Sequence, residues 1–245
     1  MKRVALISDM HGNAVALDAV LRELDHERLD EIVSLGDVAQ GGPQPAECVD
    51  RLRELGCRCV EGNSDEFLLT LDPGEEDVDA EGIDRLLAVG RWSREQLDDE
   101  RLELLRGYER TVELDVAGRR LVCCHGSPAS NDKVVLPDTP RDHVERLIGE
   151  ADAVAGGHVH LQWLRRAGRG IWFCVGSVGL VYEHKEPIDE QPFDPWAEYA
   201  VLSAEDGRLA LEFRRVAFDV DGVRAAIRSS GAPDAERQAA LWKRS

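Results

Sequence analysis

Residues 4–17 read VALISDMHGNAVAL. Val4–Ile7 is a short β-rich run, and Ser8–Gly12 interrupts it with polar residues and a glycine. Asn13 suits the cap of a helix whose apolar face carries Leu17, Val20, Leu21 and Leu24 at three- and four-residue spacings. The same grammar repeats downstream. Glu31–Leu35 reads as a second strand, and Pro45 fits the first turn of a helix running through Val49, Leu52 and Leu55 to a stop at Gly56. Cys57–Val60 is a third strand. Strand, helix, strand, helix, strand in this order predicts parallel pairing with right-handed crossovers.

Beyond this unit the pattern changes. Asp72–Gly82 is acidic and carries Pro and Gly, which predicts a surface loop; Ser93, with Gln96 in the capping-box position, predicts a helix through about Arg106. Val112–Val116 and Arg120–Cys124 around Ala117–Gly118 predict a hairpin. A helix at about Arg141–Ile148 precedes strands at Ala153–Ala155, Gln162–Arg166, Ile171–Val175, Tyr199–Ser203 and Leu209–Val216. The segment from about Asp219 is helical in pattern and carries no candidate chemistry. With no repeat and no linker, residues 1–245 read as a single domain.

The chain holds 48 acidic against 30 basic side chains, a net charge of −18. That balance disfavours nonspecific binding to a nucleic acid backbone, which needs Lys and Arg to displace counterions. No stretch reaches the roughly 18–20 apolar residues of a membrane span. The start has no apolar leader core, so a cytoplasmic location is expected. The six cysteines, at 48, 57, 59, 123, 124 and 174, form no CxxC pair and predict buried reduced thiols.

Five segments carry the chemistry: Asp9-Met10-His11, Gly36-Asp37, Gly62-Asn63-Ser64-Asp65, His125-Gly126 and Gly157-His158-Val159-His160. Each falls at the end of a predicted strand, and in α/β sheets those ends converge on one edge. Four His, two Asp and one Asn would then meet in space. Imidazole with carboxylate suits Mn, Fe, Zn or Ni rather than Ca. In extended backbone, the two ligands of DxH and of HxH would point the same way. Asp37 has two oxygens with which to bridge two ions. Any one element has an ordinary explanation, such as a turn Asp or a core His. Five in order do not. His26, His143 and His184 belong to no motif and are expected at the surface or in structural roles.

This order of motifs resembles the calcineurin-like metallophosphoesterase superfamily. The flanking text SDMHGNAVAL (8–17), WSREQL (92–97) and HGSP (125–128) resembles its small bacterial branch. The resemblance covers residues 1 to about 185. It implies a four-layer αββα sandwich of two mixed β-sheets flanked by helices, and a centre of two divalent metal ions, manganese foremost. One metal would take Asp9, His11, Asp37 and His160; the other would take Asp37, Asn63, His125 and His158. Asp37, Asn63 and His125 are expected to serve catalysis as well. The implied reaction is hydrolysis of a small phosphoester by a hydroxide held between the metals.

Two departures bear on substrate. Many members have His where this chain has Ser64, and a hydroxyl does not readily give up a proton near neutral pH. General acid help is worth about 10²–10⁴ in rate, so its loss points to a phosphodiesterase with a good leaving group. Phe173–Gly179 also replaces the family's usual Asn-Pro-Gly-Ser, which leaves a substrate role for Gly176 and Ser177 open. Asp65 could orient His11 or another ligand, or simply shape a turn. Phosphoprotein phosphatase, dinucleoside polyphosphatase and a non-catalytic metal-binding scaffold remain as alternatives. Asp72–Gly90 and Asn131–Pro140 are expected to set the substrate.

Overall fold

In the opening strand β1 (Lys2–Ile7), Val4 and Leu6 point to one side and Ala5 and Ile7 to the other, and all four are fully buried. A strand buried on both faces must sit in a sheet covered on both sides. The computed structural model, which describes residues 1–74, 79–182 and 191–243, shows what covers it. β1 pairs in parallel with β2 (Glu31–Ser34), and β2 with the two-residue β3 (Arg58–Cys59). Helix α1 (Ala14–Leu24), capped by Asn13 through Ala16 N at 3.1 Å, makes the first crossover. Helix α2 (Pro45–Leu55), ended by Gly56 at φ 62°, makes the second.

The other side of β1 takes a late element of the chain. Strand β9 (Trp196–Glu205) pairs antiparallel with β1, and β10 (Arg208–Ala217) pairs with β9, giving the order β10-β9-β1-β2-β3. The second sheet holds the hairpin β4 (Val112–Val116) and β5 (Arg119–Cys123), then β6 (Ala153–Gly156), β7 (Gln162–Ala167) and β8 (Gly170–Val175). Its order is β4-β5-β6-β8-β7.

Three apolar cores separate four layers. Val4, Leu6, Val33 and Leu35 of the first sheet meet Leu121, Cys123, Phe173 and Val175 of the second. Ala5, Ile7 and Val201 face α1, α2 and α7 (Val220–Ser230) on the outside. Val122, Val154 and Trp172 face α6 (Arg141–Ile148) on the opposite outside. This is the expected αββα sandwich. Among the described residues, no helix is long and apolar enough to cross a membrane.

Several sequence expectations need correction. Ser93 does not start a helix; it lies buried inside α4 (Ala80–Glu95), where its Oγ accepts from Gly41 N at 3.4 Å. The true caps are Asp79 for α4 and Asp98 for α5 (Asp99–Arg106), each accepting a backbone N–H three residues on. Acidic residues around 79–84 masked the start of α4, so the predicted loop ends earlier than Gly82. All six cysteines are unpaired, and Cys57 and Cys59 are half-buried rather than buried, with sulfurs 3.9 Å apart. His26 is exposed and His143 is half-buried in α6; His184 lies outside the described residues.

Candidate metal centre

Asp9 follows β1, Asp37 follows β2, and Asn63 opens α3 (Asn63–Thr70) after β3. His125 follows β5, while His158 and His160 follow β6. Two parallel strand sets from two sheets therefore deliver all seven residues to one edge. The local backbone is not the extended one expected from the two-residue spacing of DxH and HxH. Asp9, His11, Asp37, His158 and His160 all have φ between 45° and 67°, in the left-handed region. These sharp turns, rather than a strand pleat, aim the side chains inward. Non-glycine residues held in that region cost roughly 1–3 kcal/mol each and cluster at functional sites.

The side-chain geometry is that of a ligand cage. Nδ1 of His11 lies 2.9 Å from the Gln40 carbonyl, Nδ1 of His125 2.7 Å from Leu35 O, and Nδ1 of His160 2.7 Å from Leu180 O. A carbonyl only accepts, so each Nδ1 carries the proton and donates it. Each ring thus turns Nε2 into the site, the arrangement that orients metal-binding histidines. Nε2 of His11 and Nε2 of His160 stand 3.1 Å apart. Two lone pairs at that separation need a shared cation or proton between them. Asp9 Oδ1 is buried and accepts no hydrogen bond among the described residues, while lying 3.2 Å from His160 Nε2 and 3.9 Å from both His11 and His125 Nε2. Asp37 Oδ2 is 3.5 Å from His11 Nε2 and 3.3 Å from His125 Nε2, so it reaches both sides.

Two overlapping buried groups emerge, Asp9–His11–His160 and Asp9–Asp37–His125, each with ligand atoms within 4.8 Å of one another. Their common member is Asp9. Asn63 Oδ1 is 3.0 Å from His125 Nε2, and the His158 ring packs 5.2 Å from that of His125. The donor set and its orphaned carboxylate oxygen fit a pair of divalent cations. Charge agrees. Burial on its own would raise the Asp9 carboxyl, but His160 and His125 hold it below the usual range. Burial would lower His125, yet Asp37 and Asp9 raise it to about 10. Burial does win at His11 and His158, whose imidazoles are shifted down.

Ser64 and Asp65 have roles the sequence left open. Ser64 N and Oγ donate to the two oxygens of Asp37, both at 2.9 Å. The residue read as a missing proton donor is a clamp on Asp37. Asp65 does not touch His11; it accepts from Asp37 N at 2.8 Å, Val38 N at 2.9 Å and Gly62 N at 3.0 Å, and so shapes the Asp37 loop. Burial, then the Asp37 charge, raises the Asp65 carboxyl to about 7. Ser177 is fully buried and donates to the Asp9 carbonyl at 2.8 Å, so it braces the first motif. Removing the Ser64 hydroxyl (Ser64→Ala) is expected to weaken metal binding by about 10–100-fold with the fold intact, as outer partners of metal ligands do. A chelator-competition titration measures this; unchanged affinity would mean that the clamp is idle.

Two clefts meet at this cluster. One, of about 510 Å³, runs from His11, Asp37, His158 and His160 to Leu86 and Val89 of α4 and to Arg237, Gln238 and Leu241. The other, of about 800 Å³, is lined by Glu66, Asp72, Asp132 and Asn131. Of the two expected substrate segments, Asp72, Leu86 and Val89 of the first and Asn131 and Asp132 of the second border the clefts. The C-terminal segment does too, through α8 (Ala235–Ala240) and Leu241, although its sequence carried no chemical signature.

An uncharacterised protein of Methanocaldococcus jannaschii is 27% identical over 225 residues, covering 89% of this chain and 88% of that one. A crystal structure of a metallophosphoesterase from Sphaerobacter thermophilus is 25% identical with a TM-score of 0.73, covering 98% of this chain and 99% of that one. A hypothetical protein from Pyrococcus horikoshii shares the fold at a TM-score of 0.80 and 22% identity, over 98% of both chains. The family model for the calcineurin-like phosphoesterase superfamily domain matches residues 1–191. With the match spanning all five motif segments, the chain belongs to the calcineurin-like phosphoesterase superfamily and is a phosphoester hydrolase.

Proposed function

We propose that the chain is a dinuclear-metal phosphodiesterase acting on a small phosphoester. Asp9, His11, Asp37 and His160 would hold one cation, and Asp37, Asn63, His125 and His158 the other. The observation that carries this reading is three imidazoles, each anchored at Nδ1 to a backbone carbonyl, converging on two buried carboxylates. Manganese is the metal we assign first, since a mixed imidazole and carboxylate set suits it along with Fe, Zn and Ni. When bound, two such cations neutralise phosphoryl oxygens and acidify a water. The chain's own part is to fix the ligands: Ser64 holds both oxygens of Asp37, and Asp65 holds its backbone. We also place the protein in the cytoplasm, where a reducing environment suits six unpaired thiols.

Preference for a diester follows from residue 64. Its hydroxyl is already donated to Asp37 Oδ2, so it offers no proton to a departing alkoxide. Substrates with good leaving groups need none. The Mn-loaded protein is expected to turn over bis-p-nitrophenyl phosphate faster than p-nitrophenyl phosphate. At saturating Mn, which offsets loss of the Ser64 clamp on Asp37, Ser64→His is expected to raise turnover of an alkyl phosphate monoester, whose alkoxide must be protonated to leave, by at least about tenfold, the low side of general acid assistance. Flat monoester rates in that variant would remove the proton-donor account. Metal analysis giving well under two ions per chain would remove the dinuclear one.

A further inference from the structure

The cleft of about 510 Å³ joins the metal-ligating residues to six apolar side chains, Leu86, Val89, Leu180, Tyr182, Phe193 and Leu241, all half-buried. We propose, resting on the phosphoesterase reading above, that this cleft receives a flat, uncharged ring on the substrate's ester group, with Val89 and Leu241 setting its affinity.

Three observations favour a ring over other substituents. Rings already line the way out of the site: His160 meets Tyr182 edge-on at 5.4 Å between centroids, and Tyr182 meets Phe193 at 6.2 Å. Aromatic edges and faces prefer aromatic partners at these separations. The volume is that of a small-molecule pocket, which suits one ring system and its phosphate rather than an oligomer. The neighbouring cleft carries Glu66, Asp72 and Asp132, so a polyanionic substituent is repelled on that side. Arg85 and Arg237 also border this cleft and favour neither a ring nor a second anion.

Two residues of the wall, Phe193 and Leu241, come from this chain's C-terminal segment. Phe193 N donates to Leu241 O at 2.7 Å and Lys243 N to Phe193 O at 3.0 Å, which ties residues 241–243 to the cleft. Leu241 and Phe193 both lie past residue 191, where the family match ends.

Phosphonates test the idea, because their C–P bond survives a phosphoesterase. Calorimetry on the Mn-loaded protein would compare methylphosphonate, phenylphosphonate and phosphonoacetate. Phenylphosphonate is expected to bind about tenfold tighter than methylphosphonate, the effect of burying part of one ring. Val89→Ala and Leu241→Ala, on separate elements, are each expected to cut that ratio about threefold, with thermal unfolding confirming their folds. Should Leu241→Ala fail to fold, Val89→Ala decides alone. A ratio near one in the parent protein, or an unchanged ratio in the folded variants, overturns the proposal while sparing the phosphoesterase reading. Preference for phosphonoacetate over phenylphosphonate overturns it in favour of a second anion. Binding of none of the three defeats the metal-site reading itself and this proposal with it.

Discussion

Asp37→Asn is expected to lower phosphodiester turnover by more than about a thousandfold while leaving the fold nearly as stable. The amide keeps the shape, and one oxygen still accepts from Ser64 N. What goes is a negative charge whose Oδ2 lies 3.5 Å from His11 and 3.3 Å from His125. Bound metals give several kcal/mol of transition-state stabilisation, and about 4 kcal/mol corresponds to a thousandfold. Metal content is expected to fall with the rate. Elemental analysis beside a diester assay checks both. A variant that keeps two metals and more than about a tenth of the activity would show that Asp37 bridges nothing.

Gly62→Ala is expected to damage both rate and stability from outside the ligand set. A Cβ there would stand 2.0 Å from Asp37 Oδ1 and 2.5 Å from Asp37 N. Neither atom can retreat, since Ser64 holds the first and Asp65 the second. Overpacking of this kind costs about 1–3 kcal/mol, or about 2–12 °C in melting temperature for a chain of this size. A displacement of about 1 Å at a reacting group costs about a hundredfold in rate. Gly107→Ala is the control, because its Cβ would meet nothing closer than 3.3 Å. Equal melting temperatures and rates for the two variants would show that the Gly62 contact relaxes freely.

Most of the fold was legible because the first half of the chain states it locally. Asn13, Pro45 and Gly56 punctuate the strand–helix units at the positions the structure uses. Acidic residues blurred α4, where charge on one face outweighed the Ile83–Leu87 periodicity. The convergence of the seven candidate residues was legible, since strand ends bring side chains together whatever the loops between them do. Its mechanics were not. That Ser64 clamps Asp37, or that Ser177 braces Asp9, depends on contacts 27 and 168 residues apart, which no local pattern encodes. Leu241 was missed for the same reason: a leucine near a C-terminus says nothing about the cleft it will border.

The left-handed backbone at Asp9, His11, Asp37, His158 and His160 has an evolutionary consequence. Together these five conformations cost on the order of 5–15 kcal/mol, comparable to the whole net stability of an ordinary domain. Glycine would relieve that strain at every one of them. A lineage that stopped needing hydrolysis would therefore gain stability by drifting to glycine or asparagine at these positions. Side chains retained there against that drift mark descendants still under selection for catalysis, and their loss would identify a relative that has kept the sandwich for another purpose.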